Sequence, residues 1–65
     1  MKIVLNGDAM DTDCSTLQEL LEQLKHEEGS VATAVNSEFV PIALRESLKL
    51  QSGDQVEIIA PMSGG

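Results

Sequence analysis

Few of the residue types that do chemistry occur in these 65 residues, and those few are scattered. Nucleophilic or acid–base catalysis needs a nucleophile, a base within hydrogen-bond reach and a group that stabilises developing charge. The chain has one cysteine, Cys14, and one histidine, His26. Cys14 falls where a helix is expected to begin, but Asp11 and Asp13 precede it and no basic residue stands near it in sequence to activate it. It reads as a small, inert, partly buried thiol. His26 falls toward the polar end of the same helix, where a cationic side chain suits the dipole and the exposed carbonyls, so it reads as structural. One Cys and one His cannot make a structural zinc site, nor can one Cys hold an iron–sulfur cluster in the usual four-Cys manner. The helix carboxylates form a solvated face without the clustering that hard cations need. No catalytic residue, metal or bound cofactor is expected, and the chain does not read as an enzyme.

The remaining candidate is the end of the chain, "PMSGG". Glycine loses more conformational freedom on folding than any other residue, so Gly64 and Gly65 contribute little to a core. A carboxylate on such a tail can thread a narrow channel into another protein's active site, because no Cβ obstructs the walls or shields the carbonyl carbon. The other reading is slack with no role, and the residues alone leave both open.

A domain must present that tail. Lys2 to Leu5 is an aliphatic strand running into Asn6-Gly7, a hairpin signal because both residues accept positive φ, and Ala9 to Asp13 is expected to return as the second arm. In "CSTLQELLEQLKHEEG", Leu17, Leu20, Leu21 and Leu24 fall at i, i+3, i+4 and i+7 and stack on one helix face. Gln18, Glu19, Glu22, Gln23 and Lys25 fall mostly on the wet side. Ser15 with Gln18, or Thr16 with Glu19, fits a capping box, and Gly29 is the expected stop. Val31 to Asn36 reads as a strand, with Asn36-Ser37 turning it into "EFVPI". Pro41 there predicts an edge or a short strand. "ALRESLKL" predicts a single helical turn or a loop. Ser52-Gly53-Asp54 is another turn, after which "QVEIIA" is a strand with Val56 and Ile58 on one side and Glu57 and Ile59 on the other. Pro61 ends it.

Together these predict a domain over residues 1–60 and a flexible tail over 61–65. The fold class is α+β: a mixed sheet of four to five strands, its first and last strands parallel and central, with one main helix packed across one face. Hydrophobic residues make up 42% of the chain, enough for one modest core and too many for a disordered acidic segment. The N-terminal apolar run of three residues is far short of a signal-peptide core or a membrane span, and the expected location is cytoplasmic. Eleven acidic against four basic residues give a formal charge of −7, which repels nucleic acid and anionic lipid alike. A protein partner with a basic docking surface fits that charge, and so does plain solubility.

The hairpin, the Leu-faced helix, "VNSEFVP" and "SGDQVEIIAPMSGG" together resemble the thiamine-biosynthesis sulfur carriers, a prokaryotic ubiquitin-like family. The resemblance covers the whole chain and implies a ubiquitin-like β-grasp fold. It also implies a function: an ATP-dependent adenylating enzyme, related to ubiquitin-activating enzymes, activates the carboxylate of Gly65. Sulfur that originates with a cysteine desulfurase converts it to a thiocarboxylate, and thiazole synthase takes the sulfur. The carrier is then a protein cosubstrate, monomeric when alone, that binds no cofactor itself; ATP is used by its partner. Gly64, Ser63 and Met62 would be recognised as the tail, and docking would use the helix-free side of the sheet. Phe39, Val40 and Ile59 are candidates for an apolar patch there, rimmed by acidic residues, and each also reads as ordinary core. Two alternatives are a carrier like the molybdopterin synthase small subunit and a non-covalent acidic interaction module with an idle tail.

Overall fold

The computed structural model describes residues 1–27 and 29–60. Strands β1 (Lys2–Leu5) and β2 (Asp8–Asp11) form a hairpin closed by Asn6 at φ 49° and Gly7 at φ 87°. Asn and Gly enter that left-handed region at the least cost, and the resulting turn has the twist its strands require. Because the loop has only two residues, Asp8 lies directly opposite Leu5 and β2 begins one residue before the expected Ala9.

Helix α1 spans Leu17–Gln23. Of the two expected capping boxes, the structure uses the second: the Thr16 hydroxyl accepts from the Glu19 N–H at 3.2 Å, and Glu19 Oε1 accepts from the Thr16 N–H at 3.2 Å. Such a cap contributes about 1 kcal/mol. The next donors of the first turn are also satisfied, Leu17 N–H by the Leu48 carbonyl and Gln18 N–H by that of Arg45. The helix stops earlier than expected. Lys25 adopts φ 63°, its N–H donates to the Glu22 carbonyl, and the His26 N–H donates to the Leu21 carbonyl. That is a Schellman closure with a lysine in the position that glycine usually fills, so Gly29 is not the stop. His26 therefore caps the helix through its backbone and lies past its last turn, with its side chain exposed.

Strands β3 (Ala32–Val35) and β4 (Glu38–Val40) form a second hairpin through Asn36 and Ser37, at φ 52° and 70°. A 3-10 turn at Ile42–Leu44 follows Pro41, and β5 (Gln55–Ile59) comes last. The sheet order is β2-β1-β5-β3-β4. β5 pairs parallel with β1 (Val4 opposite Gln55) and antiparallel with β3 (Ala32 opposite Ile59), so the two aliphatic strands are internal. The polar β2 and the short β4 beside Pro41 take the edges.

Period-two alternation turns Ile3, Val35, Val40, Val56 and Ile58 toward the helix face that carries Leu17, Leu20 and Leu21, and these form one core with Val31 and Leu50. The largest fully buried side chain in it is charged. Arg45 is only 1% exposed; its Nε donates to Thr33 Oγ1 at 3.1 Å and its Nη2 to the Val31 carbonyl at 2.6 Å. Thr33 in turn donates to the Val40 carbonyl at 2.9 Å. Arg45 thus ties the segment after the 3-10 turn to the start of β3. Among the described residues no helix is long and apolar enough to cross a membrane.

Candidate functional site

β5 is the element that leads to the C-terminus, and it is held from both sides. β1 runs beside it until Leu5 faces Val56. The next residue, Asn6, turns away into its hairpin but keeps contact: its backbone N–H donates to the Val56 carbonyl at 2.9 Å. Its side-chain amide then does what a further strand residue would do, with Oδ1 accepting from the Ile58 N–H at 2.9 Å and Nδ2 donating to the Ile58 carbonyl at 3.3 Å. At the other end of β5, Asn36 acts alike. Its N–H donates to the Gln55 carbonyl at 2.7 Å and its Oδ1 accepts from the Gln55 N–H at 3.0 Å. Two turn asparagines, each chosen locally for positive φ, thereby extend the pairing along the central strand.

On the face of the sheet away from α1, the outward row reads Phe39, Ala34 and Glu57, with Ala32 and Ile59 beside it. Phe39 is 69% exposed and Ile59 56%, large apolar side chains left in water. Small alanines between them leave the apolar surface shallow, and the carboxylate of Glu57 stands within it. Val40 does not belong to this face. Adjacent strand residues point to opposite sides, so with Phe39 outward Val40 must point inward; it is 4% exposed and packs in the core. On the same face Asp11 sits 4.0 Å from Lys2. A shallow groove of about 410 Å³ runs along the β4 edge, lined by Phe39, Val40, Leu44 and Leu48.

Cys14 and His26 stand beyond opposite ends of α1 and are not brought together. Cys14 is half-buried, with its Sγ donating to Gln23 Oε1 at 2.8 Å. Among the described residues no group of three or more His, Cys, Asp or Glu could hold a metal ion. The expected tail residues Met62, Ser63, Gly64 and Gly65 lie outside the described residues. Sequence reasoning missed Asn6 as more than a turn residue and Arg45 as a core residue. Asn6 had a signal, since Asn at positive φ was legible, but its partner is 52 positions away.

A five-stranded mixed sheet of this order, with one helix across one face and the last strand at its centre, defines a ubiquitin-like β-grasp protein. The crystal structure of the thiamine biosynthesis protein ThiS from Geobacter metallireducens superposes with a TM-score of 0.84 at 28% identity, covering 100% of both chains. The family model of the ThiS family matches residues 3–65, and this chain belongs to that family. The sulfur carrier protein ThiS of Escherichia coli is 35% identical over 66 aligned positions, covering 100% of both chains. A thiazole synthase of Paramagnetospirillum magneticum is 35% identical over 66 positions, covering 100% of this chain and 20% of that one.

Proposed function

We propose that this chain is a sulfur carrier of thiamine biosynthesis, a protein cosubstrate whose reacting group is the carboxylate of Gly65. The observation that carries the reading is that the family match runs through residue 65, so the Gly-Gly end lies inside the family pattern. A carboxylate is a poor electrophile at neutral pH. A partner enzyme would transfer AMP from ATP onto it, releasing pyrophosphate and creating a good leaving group. The outer sulfur of a persulfide, supplied through a cysteine desulfurase, then attacks the acyl carbon and AMP departs. A thiol cleaves the resulting S–S bond and is itself oxidised to a disulfide, leaving a C-terminal thiocarboxylate. Thiazole synthase takes that sulfur and the carboxylate returns. That a thiazole synthase carries a stretch similar to this chain within its own polypeptide supports the pairing of carrier and acceptor. The names of the similar thiamine biosynthesis protein and thiazole synthase favour thiamine and thiazole chemistry over molybdopterin.

The folded domain supplies docking. Phe39 and Ile59 are the exposed apolar anchors on the helix-free face, while Met62, Ser63 and Gly64 span the distance to the partner's active site. Incubation with the adenylating enzyme, ATP and a persulfide source should raise the intact mass by the replacement of one oxygen by sulfur. No gain, with an enzyme shown to be active on another carrier, refutes the reading. In the same assay Phe39→Asp should raise KM for the carrier by about tenfold, the loss of one apolar anchor, and leave turnover at saturation unchanged. An unchanged KM would remove Phe39 from the docking surface.

A further inference from the structure

On the β1 side of β5, regular strand pairing ends where Leu5 faces Val56. The last two described residues of the strand and its exit, Ile59 and Ala60, lie beyond that point. On the β3 side Ala32 still pairs with Ile59. On the β1 side the hold on the strand's end comes from one side chain: both polar atoms of the Asn6 amide engage the N–H and the carbonyl of Ile58. We infer that Asn6 is a positioning residue for the C-terminal reaction, a peptide surrogate that fixes the direction in which β5 hands its chain to the tail. The inference rests on the proposed carrier function, because a direction of exit matters only if the terminus must reach a partner's active site while the sheet face is docked.

Five residues separate Ala60 from the Gly65 carboxylate. A shift of Ile58 displaces the point from which that span sets out relative to the docked sheet face, and misplacement of a reacting group by about 1 Å can cost around a hundredfold in rate. A strand held on one side only pivots about its remaining hydrogen bonds. With Asn6 in place, Ile58 is bonded by the amide on one side while its neighbours Glu57 and Ile59 pair with Ala34 and Ala32 on the other. Asn6 suits the task because its own backbone is already fixed by the turn and by its N–H to the Val56 carbonyl, so the short side chain has little freedom left to lose.

The test is Asn6→Gly, which keeps the positive φ of the turn and deletes only the amide. The amide hydrogen of Ile58 should exchange about tenfold faster, while that of Val4, bonded to the Asp54 carbonyl, is unchanged. With the adenylating enzyme, turnover at saturating carrier should fall by about tenfold and KM should stay within about twofold, because the docking face is untouched. Asn6→Asp keeps the acceptor for the Ile58 N–H but sets a carboxylate oxygen against its carbonyl, and should fall between the two. A purely structural role would lower the melting temperature of both variants without moving turnover. Faster exchange at Ile58 with wild-type turnover, or no change in exchange at all, overturns the positioning role. A wild-type chain that gains no sulfur overturns the carrier reading, and this role with it.

Discussion

Deleting Gly65 is expected to abolish thiocarboxylate formation while leaving the domain folded. The shortened chain still ends in a glycine carboxylate, that of Gly64, so the chemistry of the reacting group is unchanged. What changes is reach: one residue of extended chain spans at most about 3.3–3.6 Å. A carboxylate held short of the adenylating site by that distance lies well outside the roughly 3–3.5 Å approach that reacting atoms need. Among the described residues the core runs from Ile3 to Ile58. Melting temperature should therefore stay put while the sulfur-dependent mass gain vanishes. Sulfur uptake by the truncated chain at the wild-type rate would show that the Gly64 carboxylate serves equally well and that the reach given by Gly65 is not required, whereas a fully active chain lacking both glycines would favour a non-covalent interaction module.

The second large effect is expected at Arg45. Arg45→Ala removes a side chain that is 1% exposed, leaves the Val31 carbonyl without its donor and opens a cavity beneath β3. Lost packing and a stranded buried acceptor together should cost about 3 kcal/mol or more. A core of this size supplies only about 3–5 kcal/mol in total. The variant should be largely unfolded at 37 °C, read by far-ultraviolet circular dichroism and urea titration. Arg45→Met fills most of the volume without the hydrogen bonds and should lose markedly less. If Arg45→Ala melts within a few degrees of wild type, the buried guanidinium is not the tie between the 3-10 segment and β3 that the geometry describes.

These two residues also mark how far the sequence could be read. The Gly-Gly end drew notice as a local chemical feature, a terminal carboxylate on residues without side chains, while its role came only from the family resemblance. Arg45 drew no notice. In "ALRESLKL" it stands among leucines with no periodicity to show which way it faces, and charged residues are seldom fully buried. It is buried here because the 3-10 turn after β4 folds back over the start of β3, where the Val31 carbonyl and Thr33 hydroxyl accept its protons. Phe39 and Val40 teach a related lesson. Strand alternation allowed only one of them on the helix-free face, but the choice depended on Val40 lying opposite Thr33, whose side chain points into the core.

Features that depend on a few consecutive residues were thus written in the chain itself. They include the Asn-Gly and Asn-Ser turns, the leucine stripe of α1 with its Thr16–Glu19 box, the alternation of β5 and the bare glycine end. Backbone sterics and side-chain period act over a handful of bonds, so residue types suffice to fix them. The inward face of Val40, the burial of Arg45 and the grip of the Asn6 amide on Ile58 were settled when distant segments met. Each requires the parallel meeting of β1 and β5 or the return of β3 and β4 to the core, and side chains 52 positions apart acquire a relation only when the sheet order sets them side by side.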